Sequence, residues 1–432
     1  MGADRAGTMH TLTFLEPGHF HAALTLRERH PLVDDEIVVY APPGPDDVRG
    51  GREIAEFLAL VEAFNGRSER PTRWRVVIRA GPEPLRRLLQ ERPGDVVILA
   101  GRNDRKMTLV RRLHDAGLHV LADKPWITTA AALADVRRAL SGGARVMEMM
   151  TGRHATTARV AERLVREPEV FGAFDTDEGP AIRLASVHHL EKSVNDVPLR
   201  RPPWFFDVRI QGDGLADIPT HLVDQAQRLL AAHGVAADRD LELLAARRWS
   251  TPVPRALFAR VTGLAEFPPE LGGAVEDGVL AYAGNAELTF RLRGVGVHIT
   301  TRWDLTEPPA GGDAHSATVV GTLSRVRVEQ GPGTGFRRRL LVEPRVDASR
   351  VGAAVRRAVA AWQPEYPGLA AVTSPDGFDI DIPAGPGTEH ESQFALVLDE
   401  FLRSIDRGRW PDDRAAETLA KYELLAHALT AT

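Results

Sequence analysis

The sequence predicts two domains of different class: an α/β domain built on a parallel sheet with helices on both faces, then an α+β domain with a largely antiparallel sheet. Three observations predict this. Up to residue 150, short apolar runs alternate with amphipathic stretches, the pattern of strands joined by crossover helices. Beyond that point, strand-like runs succeed one another between glycine- and proline-rich turns, as antiparallel pairs allow. A chain of 432 residues also exceeds what one simple core supports.

In the first domain, residues 11–15 form a short apolar strand, followed by a turn at 16–21 and a helix beginning near Ala22. Residues 36–40 make a second strand, and the proline-rich stretch 41–47 is a loop. A helix fits 51–64, a third strand 74–78, and a helix 82–93 that opens and closes on proline. Residues 95–101 are a continuous apolar run bounded by glycines, as befits a strand buried on both faces. The helix 106–117 closes on Gly117, and the strand 118–125, the helix 129–140 and the strand 144–150 follow. In such a sheet, ligands bind at the carboxyl ends of the strands. The turn at 16–21, the residues after Leu99 and the segment 123–125 therefore gather along one edge, where a dinucleotide site is expected.

The second domain opens with a helix at 155–166. Strand-like runs follow at 181–190, 242–249, 286–294, 295–303, 317–330 and 337–344, without the regular helices of the first half. The exception is 213–230, a helix with a glycine-rich approach, and residues 308–314 are the most loop-like interior stretch. Two amphipathic helices, within 391–410 and 412–429, are expected to pack back on the body. The expected domains are 1–150, 151–387 and these C-terminal helices, 388–432.

Composition narrows the function. With no cysteine, disulfides, thiolate catalysis and cysteine-ligated zinc are excluded. A net charge of −5 provides no electrostatic footprint for nucleic acid. The first residues lack the apolar core of a secretory signal, and no apolar run spans a bilayer. The expectation is a cytoplasmic protein without nucleic-acid or membrane partners.

Three stretches carry chemistry. Lysine is rare: Lys106, Lys124, Lys192 and Lys421 are the only four among 54 basic residues. Lys124 sits at the expected sheet edge, between an acid and a proline, and a partly buried lysine can be tuned to release its proton where arginine cannot. The phosphate turn is weaker. A dinucleotide turn needs three small residues for its geometry, whereas Glu16, Pro17, Gly18, His19, Phe20 and His21 keep only the middle glycine. Glu16 would bring a carboxylate near phosphate, and the strand ending at Tyr40 lacks an acid for the ribose, the nearest being Asp46 and Asp47. The third stretch is 217–224. On a helix Asp217, His221 and Asp224 share a face, and an aspartate one turn before a histidine fixes its tautomer for proton transfer. The alternative is a helix cap beside a satisfied histidine. His188 and His189 could add metal ligands, but no spacing singles out a metal.

These residues resemble the Gfo/Idh/MocA family of pyridine-nucleotide-dependent oxidoreductases. The family's E-K-P is matched by Asp123-Lys124-Pro125, and its asparagine after the fourth strand by Asn103. Its second-domain motif G-G-G-x-x-x-D-x-x-x-H-x-x-D is matched by Gly212, Gly214, Asp217, His221 and Asp224, with one glycine offset. An arginine after the sixth strand is matched by Arg153. The resemblance covers essentially the whole chain, while the turn at 17–24 and the 186–207 segment suggest a divergent branch.

The resemblance implies an α/β Rossmann-type nucleotide-binding domain plus an α+β domain with a mostly antiparallel open-faced sheet. It implies NAD or NADP as cofactor and no metal, and hydride transfer at a carbinol of a sugar, glycoside or cyclitol. Lys124, Asp217 and His221 would be catalytic: His221 as acid/base, Lys124 polarising or relaying the proton, Asp217 orienting the pair. Gly18, His19, Phe20, Asn103, Asp123, Lys124 and Pro125 would contact the cofactor, and Arg153, His154, His189 and Trp204 the polyol. Some relatives hold the nucleotide permanently and cleave glycosides through a transient ketone; a cofactor-free binding protein is the remaining alternative. Subunits of the family often pair through the open sheet face, which implies a homo-oligomer.

Overall fold

The computed structural model describes residues 9–44, 51–141, 145–177, 179–194, 197–234, 240–309, 311–385, 387–408 and 414–431. The chain divides into two compact units. The first comprises Met1–Ile127, Ala131–His154 and Glu389–Ala415; the second comprises Thr128–Ala130, Ala155–Thr388 and Ala416–Thr432.

The first unit is a Rossmann-like six-stranded parallel sheet. Its elements are β1 (Leu12–Leu15), α1 (His21–Leu24), β2 (Glu36–Ala41), α2 (Arg52–Asn65), β3 (Arg75–Ala80), α3 (Pro84–Glu91), β4 (Val96–Leu99), α4 (Lys106–Asp115), β5 (His119–Ala122), α5 (Leu133–Leu140) and β6 (Val146–Glu148). The strands lie in the order β3-β2-β1-β4-β5-β6. The order reverses between β1 and β4, and such a reversal opens a crevice at the carboxyl ends of the strands. All four residues of β1 and of β4 are buried, which their unbroken apolar runs anticipate. Pro84 starts α3, where its missing N–H costs nothing. Gly117, at φ +78°, ends α4. The helix expected from Ala22 is a single turn, and Thr25 closes it by donating its hydroxyl to the Ala22 carbonyl at 2.7 Å. Phe14, Ile37, Val39, Ile54 and Phe57 form the core, joined by Phe394, Leu398 and Phe401 of a helix at Gln393–Asp406.

The second unit carries α6 (Thr156–Arg166), β7 (Ile182–Glu191), α7 (Val208–Gln211), α8 (Pro219–Ala232), β8 (Leu241–Pro254), α9 (Arg255–Thr262), β9 (Val279–Leu292), β10 (Val295–Thr306), β11 (Ala314–Val320), β12 (Ser324–Gln330), β13 (Arg339–Pro344), α10 (Ala348–Ala361), β14 (Ala370–Ser374) and β15 (Gly377–Asp381). The sheet runs β8-β9-β10-β7-β11-β12-β13-β15-β14, with the two-residue strand Val275–Glu276 beside β9. Every pairing is antiparallel except β10 with β7. The C-terminal helices are α11 (Gln393–Asp406) and α12 (Arg414–Thr430).

Two local expectations are corrected here. The helix expected over 213–230 begins only at Pro219, so Asp217 precedes it rather than sharing its face. The cause is steric and local. Gly214 is pressed against β9, where a Cβ would lie 2.2 Å from the Asn285 carbonyl oxygen. Pro219, lacking an N–H, suits the first helical turn. The second half also contains regular helices, α9 and α10. Asp347 caps α10 by accepting from the Ser349 amide at 2.9 Å. Its buried face (Val351, Ala354, Val355, Ala358, Val359) recurs at helical spacing but is made of small residues.

Candidate functional site

In the first unit the chemistry lies where β1, β4 and β5 end. The chain leaves β1 at Glu16, which has φ +48° and an amide bonded to the Tyr40 carbonyl at 2.8 Å. Glu16 Oε2 lies 3.4 Å from Arg105 Nη2, so its charge is matched by a cation. The amides of Gly18 and His19 both donate to the Ala100 carbonyl at 3.0 Å. Gly18, expected to contact the cofactor, thus has its amide taken by the residue that follows β4. The approach is close: a Cβ on Gly101 would sit 2.5 Å from the Glu16 carbonyl oxygen. Phe20 follows in the same turn, with its ring 4.6 Å from those of both His19 and His21. Asp46 and Asp47 lie outside the described residues.

Asp123 directly follows β5 and is buried. Its Oδ1 accepts the Lys124 amide at 2.9 Å. Its Oδ2 faces two imidazoles, lying 2.9 Å from His21 Nδ1 and 3.4 Å from His19 Nδ1. Burial drives the His21 imidazole down to about 3, outweighing the pull of Asp123. At neutral pH this is a neutral imidazole beside an ionised carboxylate. Lys124 is half-buried and precedes Pro125 through a cis peptide bond. Lys106, fully buried on α4, reaches under this segment: its Nζ donates to the carbonyls of Asp123 at 2.7 Å and Pro125 at 3.1 Å, and to Asn103 Oδ1. Asn103, Asp123, Lys124 and Pro125 are thus tied together through Lys106.

Arg153 and His154 lie in a 3-10 turn of the same unit, Thr151–His154. His154 Nε2 is 3.0 Å from Glu400 Oε2 on α11. Burial opposes charge on Glu400, but His154 and Arg414 outweigh it and hold the carboxyl down to about 2. His154 is thereby engaged within the scaffold.

In the second unit, Asp217 is buried on the approach to α8 and its carbonyl accepts from the Thr220 hydroxyl at 2.6 Å. His221 follows on the first turn of α8, half-buried. Asp224 is interior, with Oδ2 3.3 Å from Arg228 Nε and Oδ1 3.5 Å from Lys421 Nζ. Trp204 is buried with Phe205, Phe206, Phe258 and Tyr282 in an aromatic core, which is the packing role of a tryptophan rather than an open stacking platform.

A larger polar network in this unit joins His189, an expected polyol contact, to residues that sequence reasoning did not assign to substrate. His188 Nδ1 lies 2.9 Å from Asp313 Oδ2, and Lys192 Nζ donates to the same oxygen at 2.6 Å. His189 Nδ1 stands 3.6 Å from Asp313 Oδ1. Ser186 Oγ is 2.7 Å from His188 Nε2 and 2.9 Å from His315 Nδ1. With Asp313 ionised, His188 Nδ1 donates to the carboxylate, and Ser186 Oγ links the His188 and His315 rings. Although burial disfavours its charge, His188, His189 and Lys192 hold Asp313 well below the usual carboxylate range. Arg201 is buried beside them, donating to the carbonyls of Leu190 and His189 at 2.7 and 2.8 Å. Desolvation lowers its pKa, while Tyr282, Asp313 and Asp217 act against that shift. Asp217 and Asp313 therefore share one electrostatic neighbourhood. The only sequence signals were the adjacent histidines and the rarity of Lys192, because Asp313 lies 125 residues from His188 in an irregular segment.

Residues 160–432, more than half of the chain, match the family model described as "Putative oxidoreductase C terminal domain". A structure described as a "putative oxidoreductase" from Parabacteroides merdae is 32% identical, with a TM-score of 0.91 over 98% of each chain. The protein belongs to the Gfo/Idh/MocA family of oxidoreductases. Two further structures share the family's fold at lower identity. Levoglucosan dehydrogenase, in complex with NADH and levoglucosan, is 14% identical with a TM-score of 0.61, covering 98% of this chain and 97% of that one. A 3-ketoreductase from Actinomadura kijaniata, in complex with NADP, is 16% identical with a TM-score of 0.56, covering 97% of this chain and 96% of that one. A comparison with curated proteins gives no match. As in other Gfo/Idh/MocA folds, a parallel sheet is followed here by a mostly antiparallel one. Among the described residues, no helix is long and apolar enough to cross a membrane.

Proposed function

We propose that the protein is an NAD(P)-dependent dehydrogenase acting on a carbinol of a sugar, glycoside or cyclitol. The observation that carries this reading is the parallel sheet of order 3-2-1-4-5-6 with Asp123-Lys124-Pro125 at the end of β5. It is supported by the NADH and NADP complexes of like-folded dehydrogenases and reductases. The residues present fit a nicotinamide nucleotide in part. Asn103, Asp123, Lys124 and Pro125, tied together through Lys106, would face the nicotinamide half. Because the Gly18 and His19 amides are used by Ala100, the amides of Phe20 and His21 are assigned to the diphosphate.

When bound, the nicotinamide supplies or accepts hydride. The chain's residues handle the proton and the orientation. His221 exchanges the carbinol proton, Asp217 orients it, and Lys124 polarises the oxygen or relays the proton. The network of Asp313, His188, His189 and Lys192 is assigned to the polyol hydroxyls, since it offers donors and acceptors held in place before substrate arrives. Arg153 is retained as a substrate contact; His154 and Trp204 are not, being committed to Glu400 and to the aromatic core.

Fluorescence titration with NADH and NADPH tests the cofactor, and absence of binding to either would overturn the proposal. Steady NADH formation from free sugars or cyclitols is expected. Release of aglycone from an aryl glycoside without net NADH would instead assign redox-neutral cleavage through a transient ketone.

A further inference from the structure

We propose that His19, His21 and Asp123 form a binding site for a divalent first-row transition-metal ion, a site that goes beyond the dehydrogenase reading and rests on separate observations, with His21 and Asp123 common to both. One ligand atom from each of the three residues can be chosen so that all lie within 4.8 Å of one another. The finer distances are more telling. Ligands about 2.1 Å from a metal are separated by about 3.0 Å at octahedral right angles and about 3.4 Å at tetrahedral angles. Asp123 Oδ2 lies 2.9 Å from His21 Nδ1 and 3.4 Å from His19 Nδ1. A plain hydrogen bond accounts for the first distance but not the second. His19 Nδ1 is buried without a hydrogen-bond partner even though it faces a carboxylate.

The donor set is the right kind. Two imidazoles and one carboxylate suit zinc, cobalt, manganese or iron, whereas oxygen-only sites suit calcium and magnesium. The carboxylate is also held in place: Oδ1 is taken by the Lys124 amide at 2.9 Å, which turns Oδ2 toward the two rings. The rings pack edge to face with centroids 4.1 Å apart, and His21 is wedged against Phe394 of α11 at 4.7 Å. The spacing is local and simple: His-x-His at the start of α1 meets the acid that follows β5, two segments brought together by the parallel sheet. A cation there would clip the short α1 turn to β5, a turn that lacks two of the three glycines expected of it.

The test uses full-length protein without added nucleotide. Elemental analysis of the protein as purified, followed by Co2+ titration after chelation, should give one equivalent of metal and saturable ligand-field bands. His19→Gln should weaken Co2+ at least about tenfold, and His21→Gln likewise, with circular dichroism reporting that each variant folds. His188→Gln, in the other histidine cluster, should leave the titration unchanged. Absence of saturable Co2+ binding would overturn the site. So would binding that survives both His19→Gln and His21→Gln, or that disappears in His188→Gln. Those outcomes would leave His21 as a hydrogen-bonded orienter of Asp123. Nucleotide titration is a separate measurement, so failure of the metal site and failure of the cofactor reading are distinguishable.

Discussion

The Lys106 ammonium donates to the Asp123 carbonyl at 2.7 Å from inside the protein, where Lys106 is only 1% exposed. With its bonds to Asn103 and Pro125, it ties both residues flanking Lys124 to α4. Lys106→Met leaves three buried acceptors without this donor and should cost about 2–4 kcal/mol. Urea denaturation measures this, and an unchanged midpoint would show that the strap contributes nothing.

Lys124 itself is predicted to separate chemistry from binding. Lys124→Met should lower turnover by about 10²–10⁴-fold while nucleotide affinity stays within a few-fold of wild type. A variant that retains its rate would remove Lys124 from the proposed mechanism.

Glu400 makes stability depend on acidity. Its folded value of about 2 lies below that of an unfolded glutamate, about 4.3. Its contribution is therefore complete above about pH 4.3 and is lost as pH falls through about 2. Glu400→Gln should be less stable at neutral pH and show a shallower loss on acidification. Chemical denaturation at several pH values checks both.

Lys192 and Asp313 are predicted to be coupled. Their 2.6 Å contact is shielded, at 19% and 15% side-chain exposure. A double-mutant cycle with Lys192→Met and Asp313→Asn should return about 1.5–3 kcal/mol of interaction energy. A value near zero would mean that the two histidines hold the carboxylate without Lys192.

Gly214→Ala tests the approach to α8. The added Cβ meets strand backbone at 2.2 Å from the Asn285 oxygen, and backbone cannot yield as a flexible side chain can. A loss of about 3 kcal/mol or more is expected, read as failure to accumulate soluble protein or as a collapsed melting temperature.

Much of this was legible in the residues themselves. The strand at 95–101 announced itself because both faces are apolar, and order along the chain then indicated which segments meet at the edge. The rarity of lysine pointed beyond Lys124. Lys106 and Lys421 are fully buried and Lys192 is shielded, so each lysine holds a position that needs a compact ammonium. What could not be read was contact between distant segments. Asp313 in a glycine-rich loop resembles any solvated turn until β7 and β11 are paired. The single turn of α1 and the late start of α8 were hidden for another reason: close backbone approaches at Gly101 and Gly214 decide them, and periodicity carries no record of such approaches. Helix α10 was readable but easily missed, because its buried face is built from alanine and valine.

The first unit draws its core from two segments far apart in the chain. Phe394, Leu398 and Phe401 of α11 complete a hydrophobic cluster begun by Leu12 and Phe14, while α12 belongs to the other unit. A ribosome that has finished residue 154 has made every strand of the parallel sheet yet lacks part of its filling. The sheet must then wait through more than two hundred further residues, its apolar gap exposed, before it can close. A stop codon anywhere before residue 393 should therefore leave this unit without part of its core and open to proteolysis, not merely trim the tail.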